Sequence, residues 1–242
     1  MRRTRLLSII WMAFIAITAT GCSSCSPPIE YGREQGKVLQ TKRRQVWAIA
    51  PVINLSGERG VDPILQADLL FQQMQQVRGL TVIPVNRVAE VYAALRIDRI
   101  ATPEQAALVS DLLQCDGLVI ASVTIFDPYN PPKFGGAMQL FLKPGTYQRP
   151  VDIDPRELVR RATPREGPPQ PAGNADIVQS VGMFDAANGS VRDRVTLYAA
   201  GRHDPLGPLG EKEYLVHMDR YCGFAYSELI DQLLASPKLK GL

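Results

Sequence analysis

Few side chains in this sequence come in types and spacings that could do chemistry. There are two histidines and four cysteines. His203 stands beside Asp204-Pro205 in a Gly/Pro-rich stretch, and a His-Asp pair can orient an imidazole for base catalysis. No G-x-S-x-G or comparable nucleophile motif accompanies it. His217 falls next to Met218 in an apolar-periodic segment, the usual setting of a structural helix histidine. Neither histidine has a second histidine or a cysteine at metal spacing, so no metal site and no cofactor is expected. Gly57-Glu58-Arg59-Gly60 follows a hydrophobic run but lacks both glycine patterns whose amides cradle phosphate. Cys115 and Cys222 are the candidate pair for a disulfide within the fold, with buried free thiols as the other reading. Arg156, Arg160 and Arg161, spaced as on one short helix, are a candidate partner-contact cluster, with a solvated connector as the other reading.

The remaining reactive residue is Cys22. Residues 1–5 are basic, and the 14 residues Leu6 to Ala19 carry no charge. As a helix they would span roughly 21 Å, short of a ~30 Å hydrocarbon core, which fits a secretory leader better than a permanent span. Ala19-Thr20-Gly21-Cys22 follows at once and resembles the bacterial lipobox, with Ala19 where the pattern usually has Leu. The resemblance implies a leader over residues 1–21 and acylation of Cys22, with Cys25 a poorer second candidate and an ordinary secreted protein the alternative. Ser23, in place of Asp, resembles the signal for outer-membrane sorting. The expected location is therefore the bacterial cell envelope, lipid-anchored at the periplasmic face of the outer membrane.

Charge excludes another class. The chain has 27 Lys and Arg against 24 Asp and Glu, and removing Arg2, Arg3 and Arg5 with the leader leaves 24 of each sign. A neutral domain lacks the basic footprint that nucleic-acid binding requires.

The elements expected to position these residues begin after a linker over residues 22–44, rich in Ser, Pro and Gly, with a basic Lys42-Arg43-Arg44 end. Residues 45–242 read as a single α/β domain. Val46 to Ile53 is a buried strand. Asp62-Pro63 opens a helix with Ala67, Leu70, Phe71, Met74 and Val77 on one face, stopped by Gly79. Leu80 to Val85 is a second strand, Asn86 can cap the next helix, and Thr102-Pro103-Glu104-Gln105 is a capping box for another. Leu118 to Phe126 is a third strand. The order β-α-β-α-α-β predicts a mixed sheet covered by helices. Antiparallel strands are expected next, from Ala137 to Leu142 and then as a hairpin turning at Asn188-Gly189 into Val191 to Tyr198. Tyr214 to Leu233 predicts a long C-terminal helix. Between them, residues 143–175 hold seven prolines in 33 positions and predict an insertion outside the sheet.

Asn54-Leu55-Ser56-Gly57 after the first strand, Cys115 to Val123 after two helices, and Phe184-Asp185-Ala186-Ala187-Asn188-Gly189 together resemble the TolB amino-terminal and CsgG-like family of envelope proteins. The resemblance covers residues 45–126 and 176–235. It implies a periplasmic α/β module in lipoproteins of envelope assembly, among them a curli secretion channel and activators of cell-wall synthases, with no catalytic set to carry over. A pore-forming version needs spanning strands of ~9–11 residues, which the prolines of 143–175 interrupt. The expected function is a non-catalytic envelope lipoprotein that binds an unidentified envelope protein. The alternative is an envelope hydrolase or small-ligand binder using the 54–60 loop and His203.

Overall fold

The computed structural model describes residues 36–41, 43–143, 176–204 and 206–239. The leader, Cys22, and Arg156, Arg160 and Arg161 of the 143–175 insertion lie outside the described residues.

Among the described residues six strands and six α-helices follow one another, in the predicted order through the first half. They are β1 (Gln45–Ile49), β2 (Ile53–Asn54), α1 (Pro63–Met74), β3 (Leu80–Ile83), α2 (Val85–Leu95), α3 (Pro103–Leu113) and β4 (Gly117–Asp127). Then come β5 (Lys133–Leu142), β6 (Asp176–Asp185), α4 (Gly189–Ala199), α5 (Glu213–Val216) and α6 (Met218–Leu234). The sheet runs β3-β1-β4-β5-β6, with β2 pairing β4 beyond the end of β1. β1 is parallel to β3 and β4, whereas β4, β5 and β6 are antiparallel neighbours. The result is the expected α/β class with an open mixed sheet.

Local chemistry accounts for the element ends. Pro51 has no amide to give a ladder, so the predicted Val46–Ile53 strand divides into β1 and β2 around Ala50-Pro51-Val52. Asp62 accepts from the amides of Ile64 (2.8 Å) and Leu65 (3.3 Å), with Pro63 in the first helical turn. Thr102 Oγ1 accepts from Gln105 N at 3.3 Å, while Gln105 Oε1 accepts from Ala101 N at 2.8 Å, a box closed one residue earlier than usual. Asn86 does not cap α2. That helix begins at Val85 behind Pro84, and Asn86 Oδ1 accepts only from its neighbour Arg87 N.

Two cores result. On one face of the sheet, Leu70 and Met74 of α1 and Phe224, Leu229 and Leu233 of α6 pack on Trp47, Val119, Met138 and Phe184. On the other, Val88 and Tyr92 of α2 and Ala106 and Val109 of α3 cover Ala48, Leu118 and Phe141. The second pair of helices thus reaches the β1–β4 side of the sheet. Among the described residues no helix is long and apolar enough to cross a membrane.

Three expectations are corrected. The predicted hairpin strand Val191–Tyr198 is α4. Its buried residues Val191, Val195 and Ala199 recur every four positions, Leu197 is exposed, and Asn188 Oδ1 accepts from Ser190 N as an N-cap. The long C-terminal helix is interrupted at His217, whose extended backbone (φ −96°, ψ 114°) separates α5 from α6. Residues 36–41, placed by sequence in the flexible linker, are docked. Val38 bridges Arg78, Leu39 N donates to Arg78 O (3.0 Å), and the Leu39 side chain is buried.

Candidate functional site

The residues proposed for catalysis are engaged with their own neighbours. His203 follows α4, and its Nδ1 lies 3.0 Å from Ala199 O, a carbonyl at the helix end, to which it donates. Asp204 Oδ1 accepts from Leu206 N at 2.9 Å. The carboxylate therefore caps a turn, and the imidazole is oriented by a helix terminus. The 54–60 loop is likewise closed on itself. Asn54 Oδ1 accepts from Ser56 N (3.0 Å) and Ser56 Oγ (2.7 Å), Asn54 Nδ2 donates to Glu58 O (2.7 Å), and Ser56 Oγ accepts from Glu58 N (3.2 Å). Amides of Ser56 and Glu58 that could face an anion point at this internal network.

Cys115 and Cys222 are both buried and free, the second of the two readings given for them, and no bridge joins them in this structure. They belong to separate cores, Cys115 with α2 and α3 and Cys222 with α1 and α6. Burial pushes the Cys115 thiol up to about 11 and raises that of Cys222 further, so neither is a ready nucleophile. Among the described residues no group of three His, Cys, Asp or Glu could hold a metal. His217 is exposed at the α5–α6 break.

Two other features stand out. The first is the lysine that docks the chain ahead of β1. Lys37 Nζ donates to Ser227 O and Ser227 Oγ (2.7 Å) and pairs with Asp231 at 3.0 Å. Desolvation lowers its pKa, opposed by Asp231. A groove of about 290 Å³ lies here between residues 37–40 and the end of α6. Lys37→Ala should cost about 1–2 kcal/mol, the scale of a lost charged hydrogen bond less the relief of desolvation. Hydrogen exchange should show faster exchange at the Leu39 and Arg78 amides, and unchanged protection there would show that the strand-like bridge holds without the lysine.

The second is the outer face of β6. Its residues alternate cleanly: Val178, Ser180 and Phe184 are buried against α6, whereas Ile177, Val181 and Met183 are 43%, 61% and 66% exposed. Ile125 of β4 is exposed as well. Helices α2 and α3 stop short of this half of the sheet. At their margin Ile53, Ile100, Pro103, Ile120, Phe141 and Ile177 enclose a depression of about 220 Å³. In sequence Ile177, Val181 and Met183 alternate up to Phe184 as one face of a strand, and nothing local marks that face as the solvent side. The available signal was Val178 and Phe184 in the opposite phase, which makes both faces of one strand apolar.

Fold and surface together define a mixed α/β module with one long apolar edge strand. The chain matches no protein-family model, and no curated protein matches it. Solved structures with partial likeness include lipoprotein GNA1162 from Neisseria meningitidis, at 13% identity over 67% of this chain and 99% of that one, with a TM-score of 0.39. The C-terminal domain of LpoB from Salmonella enterica shares 14% identity over 42% of this chain and 74% of its own, with a TM-score of 0.34. Hypothetical protein CT253 from Chlamydia trachomatis shares 11% over 79% and 98%, with a TM-score of 0.37. These likenesses carry no functional argument, and the architecture rests on the strand pairings themselves.

Proposed function

We propose that the protein is a non-catalytic, lipid-anchored component of the bacterial cell envelope whose α/β module works by binding protein. The observation that carries this reading is the solvent-facing apolar row Ile177, Val181 and Met183 on β6, a surface suited to contact. The leader and Cys22 supply the anchor, and Ser23 favours the outer membrane. The resemblance to the TolB amino-terminal and CsgG-like family belongs to this reading, as does the Arg156, Arg160 and Arg161 cluster as a second contact. Because the chain is docked from residue 36, only the 13 residues 23–35 lie between anchor and domain. A linker of that length reaches roughly 18–22 Å, which would hold the module at the membrane surface.

The hydrolase alternative needs His203 and the 54–60 loop, and the local hydrogen bonds of both argue against it. Purified full-length protein in detergent, offered ester, phosphate and glycan substrates, is expected to give no turnover above a blank. Reproducible turnover abolished by His203→Ala would reverse the ranking.

A further inference from the structure

We infer that β6 pairs antiparallel with β6 of a second copy of this chain, across a two-fold axis at Val181, making one continuous sheet from two. The inference deepens the contact reading above by naming the partner.

The backbone sets the phase. Pairing of β5 with β6 is unbroken from Lys133↔Asp185 to Leu142↔Asp176, and Ala186 N donates to Pro132 O at 3.0 Å in the same register. In an antiparallel ladder hydrogen-bonded positions alternate. The even-numbered residues of β6 therefore bond to β5, and the amides and carbonyls of Ile177, Gln179, Val181 and Met183 point off the sheet edge. Ile177 O accepts from Lys238 Nζ at 3.3 Å, as a carbonyl without a ladder partner can.

Natural edge strands are blunted by proline, bulges, inward charges, lysines or extreme shortness. β6 is ten residues long, without proline, bulge or any charged side chain from Ile177 to Phe184. The opposite edge, β3, has four residues and is approached by the Val38–Arg78 bridge. Among the described residues the long edge thus occurs once. An edge that pairs with itself gives an isologous contact that closes at two copies.

Outward amides must meet outward amides, so registers differ in steps of two and keep every side chain on its own face. The register centred on Val181 sets Val181 against its symmetry mate, Gln179 against Met183 of the second copy, and Ile177 against Asp185 of the second copy. It brings each Asp185, which pairs with Lys133 of its own copy at 3.4 Å, beside Lys238 of the other copy, which donates to Ile177 O, so both ends of the pairing add a lysine to a carboxylate. Because the axis is perpendicular to the sheet, the two exposed apolar rows lie side by side on one face, where cross-strand pairs stabilise each other.

The test uses the full-length protein in envelopes and in detergent. Val181→Cys, treated with a short bis-maleimide, should give an adduct of twice the chain mass, and Leu197→Cys, exposed on α4, should give none. By sedimentation the native chain should be a dimer. Gln179→Lys with Met183→Lys, which sets lysine against lysine twice, should raise the dimer dissociation constant at least about tenfold. Gln179→Lys with Met183→Glu alters the same exposed positions but sets opposite charges together and should remain dimeric. A monomeric native chain, equal behaviour of the two double variants, or equal cross-linking from Leu197→Cys would overturn the pairing. Cross-linking from position 181 to a different protein only would overturn the second copy while leaving the contact reading standing.

Discussion

Phe224→Ala is expected to lower unfolding stability by about 3–5 kcal/mol, the scale for deleting a fully buried aromatic ring. Phe224 is wholly buried on α6 and meets three other rings. Phe184 of β6 lies edge-on at 5.6 Å, Tyr198 of α4 edge-on at 5.7 Å, and Tyr221 tilted at 5.9 Å. Edge-to-face pairs contribute about 0.5–1.5 kcal/mol each beyond burial, so the loss exceeds that of one apolar side chain. Tyr198 also meets Tyr214 at 5.6 Å and donates from its hydroxyl to Gln73 Oε1 of α1 at 2.7 Å. The ring therefore holds together β6, α4 and the α5–α6 corner. Urea denaturation of the native and variant chains measures the difference. A loss under about 1 kcal/mol would mean that the neighbouring rings collapse into the space.

How much of this was legible in the sequence depends on whether the signal was local. Asp62-Pro63 and Thr102-Pro103 announce α1 and α3 because the cap residue and the first-turn proline satisfy helix termini within a few residues. The buried runs of β1 and β4 are similarly plain. Asn188-Gly189 was misleading, since it serves equally as a hairpin turn or as an N-cap with the first helical residue. The decision falls to the face that Val191, Val195 and Ala199 bury against α6, a tertiary fact. Docking of Lys37 depends on Ser227 and Asp231, about 190 residues away in sequence, and no local pattern records it. The β6 edge was hidden for a different reason. Apolar residues in both phases disclose that two faces are apolar, and only the positions of α2 and α3 decide which of them is left open.

Cys22→Ser is expected to move the protein from the membrane fraction to the soluble fraction and to block removal of the leader by a lipoprotein-specific peptidase. Serine cannot form the thioether that carries the diacylglycerol. Acyl chains contribute about 0.8 kcal/mol per buried methylene, and two or more make attachment stable where one is marginal. Membrane fractionation with mass measurement of the amino terminus tests this. Normal processing together with unchanged fractionation would defeat the assignment. Residual acylation in the single variant that disappears in Cys22→Ser/Cys25→Ser would instead place part of the modification on Cys25. Release should leave the fold intact, because residues from Gln35 onward form a compact unit with its own two cores. It should nevertheless weaken self-association. Copies confined to one surface by a short tether would meet at a higher effective concentration than free copies, so the released chain should need a higher concentration to pair through β6 than the anchored one.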